Sequence, residues 1–247
     1  MLTGGYYTFT VILGKKDMQL RQLHSWDLTY AEARTLQIEL AGEVKQCRFR
    51  PKKKMLVAGL DCAFSKDAKR VIAAVVVLQL PGFEIIEQAW AIKPVTFPYI
   101  PGLLSFREGP ACIAAVEKLS CSPDVFIVDG QGIAHPRRLG IAAHLGIIFD
   151  TPTIGCAKSR LTGRYDEPGI QKGEYALLFD KVEIIGAVLR TRNGVKPVFV
   201  SVGNKCTLDD AIKTSLLCCT GFRLPEPTRL AHQIVTKLKT DPLTFDP

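Results

Sequence analysis

Residues 124–158 read DVFIVDGQGIAHPRRLGIAAHLGIIFDTPTIGCAK. Val125, Phe126, Ile127 and Val128 form a short unbroken apolar run, the pattern of a strand covered on both faces. Asp129 stands where that strand must end. Gly130 and Gly132 follow, and they free the backbone for a sharp turn or for close approach to a ligand. Open α/β sheets bind their ligands at the carboxyl ends of strands, so a carboxylate in this place marks a candidate site. A helix around residues 137–146 and a short strand over 153–157, ending at Lys158, complete the stretch.

Upstream, MLVAGLDCAF (55–64), VIAAVVVLQL (71–80) and FEIIEQAWAI (83–92) are strand-like runs joined by SKDAKR and by Pro81-Gly82. Such short connections make antiparallel hairpins, so these runs form a meander. A proline-rich loop leads to a helix between Leu103 and Leu119, after which 124–129 returns parallel to the first strand. Before the meander, Thr29 and Glu32 make a capping box for a helix whose apolar face carries Ala33, Leu36, Leu40 and Val44. After the opening stretch, VEIIGAVLR (182–190) and PVFVSVG (197–203) are joined by Thr191-Arg192-Asn193-Gly194, a hairpin signal. Two helices, TLDDAIKTSLLCC and PTRLAHQIVTKLK, follow. There is no linker or internal repeat. The expectation is one mixed α/β domain over residues 20–247, with residues 1–19 an unassigned extension.

Composition narrows the class. With 247 residues, 47% of them hydrophobic, the chain can fill a sizeable core. No apolar run approaches the roughly 18 residues a membrane-spanning helix needs. No signal-peptide pattern precedes the first helix, and a cytoplasmic protein is expected. Cys47, Cys62, Cys112, Cys121, Cys156, Cys206, Cys218 and Cys219 show neither C-x-x-C nor zinc spacing, and read as reduced thiols. The net charge of +8 favours an anionic partner. Residues 45–54 place six basic side chains in ten; they form a solvated loop or a contact for a passing phosphate backbone.

Asp61 interrupts an otherwise apolar first strand, so its carboxylate is at least partly buried and needs a partner. If the first and fourth strands are neighbours, Asp61 meets Asp129. Two close carboxylates repel, and a divalent cation between them removes the repulsion. Oxygen ligands suit Mg²⁺ or Mn²⁺, and a carboxylate separation above about 8 Å would exclude a shared ion. The alternative is structural, with Asp61 in an ion pair and Asp129 capping a turn. Glu108 is a candidate third carboxylate. Either Ser105-x-x-Glu108 is a capping box, or Gly109-Pro110 starts the helix and leaves Glu108 outside it, facing the site. In Pro98-Tyr99-Ile100-Pro101-Gly102 two prolines stiffen an apolar tip, which suits either a wedge entering a base stack or a loop packed on the core. Lys158 is either a solvated strand-end cation or a phosphate ligand. On the residues alone His135 and His232 are undecided, since such a histidine is more often a surface or hydrogen-bonded one than a ligand. Asp209 and Asp210 serve a helix start, and His144 lies in a packing helix.

The series VAGLDCAF, PYIPGLLSFRE, IVDGQGIAHPRRLGIAAHLG and TPTIGCAKSRL, in this order and spacing, resembles the endonuclease V family. GAVLRTRNGVKPVFVSVGNKCTLDDAI and LPEPTRLAHQ continue the likeness, which covers roughly residues 20–240. The resemblance implies a ribonuclease H-like fold and a Mg²⁺-dependent nuclease acting on deoxyinosine in DNA, with Mn²⁺ as a substitute. By the family pattern the cut falls at the second phosphodiester 3′ to the lesion and leaves 3′-hydroxyl and 5′-phosphate ends. Residue by residue, it implies Asp61 and Asp129 as metal ligands and Glu108 as the third acidic residue. Lys158 then lies near the scissile phosphate and His232 near the metal. Tyr99 and Pro101 belong to the wedge, while Gly102, Leu104, Gly130 and His135 line the base pocket. The expected partner is inosine-containing DNA, with RNA as a second possibility, and the expected state is a monomer. Two rivals remain: an inosine-specific endoribonuclease and a non-catalytic nucleic-acid-binding protein.

Overall fold

The computed structural model describes residues 20–49, 52 and 54–240, so the expected extension over 1–19 lies outside it. The elements run α1 (Tyr30–Ala41), β1 (Met55–Phe64), β2 (Arg70–Leu80), β3 (Glu84–Pro94), α2 (Leu104–Val116), β4 (Val125–Val128), α3 (Ile141–Phe149), β5 (Thr153–Ala157), β6 (Tyr175–Asp180), β7 (Glu183–Leu189), β8 (Val198–Asn204), α4 (Leu208–Leu217) and α5 (Glu226–Thr240). All strands among the described residues belong to one sheet in the order β3-β2-β1-β4-β5-β8-β7-β6. The meander is antiparallel, β1–β4 and β4–β5 are parallel, and β5–β8, β8–β7 and β7–β6 are antiparallel. This is the mixed sheet that the sequence series leads one to expect.

The unbroken apolar runs are explained by the two covered faces. On one, Ala58, Leu60, Val75, Val77, Phe126 and Val128 meet α2 and α3. On the other, Val57, Val125 and Ile127 meet α4 residues, and Ile72, Ala74, Val76 and Leu78 meet α5. Residues two apart alternate between these layers, as the pleat requires. The capping box of α1 forms, with Thr29 accepting from the Glu32 amide and Glu32 from that of Thr29.

Three details depart from the expectation. The strand β6, YALLFD, is half-exposed at the sheet edge and lacks a fully apolar run, so its sequence carries a weak signal. The third helix starts at Ile141, because Pro136 to Leu139 form a loop. Neither reading of the start of α2 holds. Its N-cap is Leu103 with no side-chain cap, and Gly109 and Pro110 both lie inside the helix. Gly109 is required there by packing, since a Cβ would come within 2.6 Å of the Trp26 ring. Pro110 forgoes one intrahelical hydrogen bond, and burial of Phe106, Cys112 and Ala115 against the core offsets that loss.

Candidate active site

Parallel pairing of β1 with β4 sets Leu60 opposite Val128, and the Asp129 amide donates to the Leu60 carbonyl at 2.9 Å. The register therefore brings Asp61 beside Asp129. From the far side α5 docks on β1 so closely that a Cβ on Gly59 would come within 2.0 Å of the Pro227 carbonyl carbon. That close approach delivers His232, whose Nδ1 donates to Asp61 Oδ2 at 2.6 Å. Lys158, immediately after β5, donates to Asp129 and stands 4.0 Å from Asp61 Oδ2. One ligand atom each from Asp61, Asp129 and His232 lie within 4.8 Å of one another. The two carboxylates thus fall well inside the separation that would exclude a shared ion.

The electrostatics mark this cluster as strained by negative charge. Burial and the neighbouring Asp129 raise the Asp61 carboxyl to about 6, although Lys158, His232 and the Cys62 amide pull it down. Glu108, inside α2 and buried, rises to about 8 through burial and the charges of Asp61 and Asp129. Burial disfavours the charge on Lys158, yet its contacts with Asp129 and Asp61 leave its ammonium held above the usual value. Two carboxylates and an imidazole form a donor set that fits a divalent cation, and such an ion would relieve the repulsion that raises Asp61.

A second feature adjoins the first. Tyr99 is 71% exposed, while its neighbour Ile100 packs with Phe97, Leu103 and Phe106, so the loop is anchored by residues other than Tyr99. The Arg107 guanidinium lies 4.6 Å from the Phe64 ring and 6.0 Å from that of Tyr99. Gly102 adopts φ +79°, and its carbonyl accepts from Gln37 Nε2 (2.8 Å), His135 Nε2 (3.0 Å) and Arg137 Nη2 (2.8 Å). His135 also accepts from the Arg137 amide, so both ring nitrogens serve the loop; burial and Arg137 lower its ionisation to about 4. Between the two loops lies a cavity of about 180 Å³ bordered by Tyr99, Pro101, Gly102, Leu104, Gln131 and His135. Gly130 lies next to it, where a Cβ would come within 2.4 Å of Ile141.

On the other side of Lys158 a groove of about 600 Å³ carries Arg160, Lys196 and Arg223. Arg223 bonds the carbonyls of Lys158 and Pro197, which fixes the basic wall in place. The sequence reading gave no site role to Gly59, Gln131 or Arg223, and took Ser105 only as a candidate helix cap. Gly59 left a trace as a glycine inside an apolar strand. The eight cysteines are free thiols, and no helix among the described residues is long and apolar enough to cross a membrane.

Comparison with known proteins gives the family. The sequence pattern described as Endonuclease V matches residues 38–233. Endonuclease V of Trichormus variabilis is 50% identical over 220 residues, 89% of this chain and 99% of that protein. The crystal structure of Endonuclease V from Streptomyces avermitilis aligns with TM-score 0.84 at 41% identity, covering 88% of this chain and 96% of that one. Endonuclease V of Ciona intestinalis, solved in complex with a 24mer DNA containing an inosine followed by a ribo-adenosine, aligns with TM-score 0.71 at 29% identity, covering 84% and 96%. The chain belongs to the Endonuclease V family of ribonuclease H-like nucleases, which hydrolyse phosphodiester bonds.

Proposed function

We propose that this nuclease is a Mg²⁺-dependent repair enzyme that recognises deoxyinosine and hydrolyses the second phosphodiester 3′ to it, leaving 3′-hydroxyl and 5′-phosphate ends. The observation that carries the reading is the convergence of Asp61, Asp129 and His232 beside Lys158, next to a cavity and a basic groove. Asp61 and Asp129 would hold the ion, with His232 orienting Asp61 through their hydrogen bond. What the ion contributes when bound is polarisation of the phosphate and a lower pKa for a water.

The chain's own groups supply the rest. Lys158 places a fixed positive charge where charge accumulates on the phosphate in the transition state. Glu108, with its carboxyl raised to about 8, is able to hold or release a proton near neutral pH. Arg160, Lys196 and Arg223 offer the strand backbone a basic track. Tyr99 would occupy the gap left by the extruded base, and Gly102, Leu104, Gly130 and His135 would surround that base. Extrusion costs a few kcal/mol, and less for a poorly paired base, which favours inosine. The protein would act as a monomer.

The Ciona intestinalis complex carries a ribonucleotide after its inosine, which supports inosine-containing RNA as a second substrate class. Incubating matched single-inosine DNA and RNA strands with Mg²⁺ tests both readings, with Asp61→Ala as the control. A Mg²⁺-dependent nick lost in Asp61→Ala is the expected result. Strand binding without a nick in the parent protein would leave only a non-catalytic binder.

A further inference from the structure

One wall of the cavity beside Tyr99 has its hydrogen-bonding character set from a distance. Ser105, in the first turn of α2, is 2% exposed and borders that cavity. Behind it runs a chain of hydrogen bonds whose direction can be worked out from its outer end. The Ser25 carbonyl can only accept, so His24 Nδ1, 2.7 Å away, carries a proton. In an imidazole that carries its single proton on Nδ1, Nε2 is the lone pair, so His144 Nε2–H donates to it across 2.7 Å. His144 Nδ1 is left as an acceptor, and the Ser105 hydroxyl donates to it at 3.1 Å. His144 is 0% exposed, and burial lowers its ionisation to about 3, so it stays uncharged at neutral pH. Trp26 stacks on the His144 ring at 5.4 Å and Phe106 lies 5.1 Å away, which holds the imidazole in this orientation.

The hydroxyl proton of Ser105 is thereby committed, and only its lone pairs remain for anything that enters the cavity. A second acceptor belongs to Gln131, which borders the same cavity. Gln131 Oε1 is buried without a partner, while its Nε2 donates to the Ser159 carbonyl at 2.9 Å. A buried acceptor without a partner is costly, and a ligand N–H arriving there would relieve it.

We propose that Ser105 determines specificity in this pocket: held as an acceptor by the His24–His144 chain, its hydroxyl takes the N1–H of a 6-oxopurine such as hypoxanthine and rejects adenine, whose N1 is itself an acceptor. This rests on the reading of the cavity as the site of the extruded base. Deamination of adenine reverses the polarity of N1 from acceptor to donor, so a wall of fixed acceptors separates the damaged base from its parent. His24 and His144 act as positioning residues, since they fix which way the Ser105 proton points. Sites built to hydrogen-bond a substrate group discriminate strongly against analogues that lack it.

The test uses single strands that differ only in one base, hypoxanthine or unsubstituted purine, with dissociation constants measured in EDTA so that no cleavage occurs. Purine keeps the ring but presents N1 as an acceptor, and its missing O6 affects every protein variant alike. Ser105→Ala should bind the hypoxanthine strand roughly tenfold more weakly and the purine strand no more weakly than the parent does. His24→Phe keeps a ring against Trp26 and frees the His144 tautomer, so it should gain affinity for the purine strand while holding hypoxanthine near the parent value. Equal weakening of both strands in Ser105→Ala, or no weakening, would overturn the proposal and leave the pocket reading intact. A parent protein that binds hypoxanthine and adenine strands alike would overturn the pocket reading and the proposal with it.

Discussion

Replacing Glu108 by glutamine should stabilise the metal-free protein at neutral pH and much less at pH 5. Glu108 is buried, and its carboxyl is raised from 4.5 to about 8 by burial and by the charges of Asp61 and Asp129. An acid whose folded value exceeds its unfolded value takes up protons on folding between the two. Stability is therefore present below the unfolded value and is lost as pH rises through the folded one, here over about pH 4.5 to 8. Integrating the linkage gives a penalty of about 1 kcal/mol at pH 5 and about 3 kcal/mol at pH 7. Glutamine removes the ionisation and keeps the shape. For a chain of this size 1 kcal/mol moves Tm by roughly 2–4 °C, so the gain in Tm should be about 4–8 °C larger at pH 7 than at pH 5. The assay is thermal unfolding of both proteins in EDTA at the two pH values. A shift of the same size at both, or a loss of stability that grows with pH, would refute the assignment of Glu108 as a carboxyl strained by its acidic neighbours.

Other outcomes follow from the same geometry. Mg²⁺ at about 100 times its Kd should stabilise the parent by about 3 kcal/mol and leave the Tm of Asp129→Asn nearly unchanged, as thermal melts with and without the ion will report. Lys158→Ala should lower single-turnover cleavage roughly 10²–10³-fold with little change in strand affinity, the pattern of a charge that acts in the transition state. Tyr99→Ala should weaken binding of an inosine duplex by about 1–3 kcal/mol and leave the melting temperature in place, because its ring is exposed. Gly59→Ala pushes a Cβ against Pro227, so α5 must shift. It should cost about 1–3 kcal/mol of stability and impair cleavage by displacing His232, checked by urea unfolding and nicking on the same samples.

The central strands β1, β2, β4 and β5 could be read from residues with little ambiguity because they are largely buried on both faces and therefore mostly apolar. The edge strand β6 could not, since half-exposed residues carry no run and no clean alternation. Asp61 and Asp129 were legible because a charge inside or at the end of an apolar strand demands a reason, and the parallel pairing of β1 and β4 supplied it. The start of α2 was misread because both signals there were real in isolation. Tertiary packing of Trp26 on Gly109 and of Phe106 in the core overrode them. The His24–His144–Ser105 chain left no mark in the sequence, as its members are 120 and 39 residues apart and meet only through folding.

The most direct measurement is to map, at single-nucleotide resolution, the products formed from an end-labelled strand carrying one deoxyinosine, with Mg²⁺ and with EDTA. The account predicts one Mg²⁺-dependent cut at the second phosphodiester 3′ to inosine, with 3′-hydroxyl and 5′-phosphate ends, absent in Asp61→Ala and Asp129→Ala. Cleavage in EDTA, cleavage independent of inosine, or a cut that survives the loss of both carboxylates would contradict it.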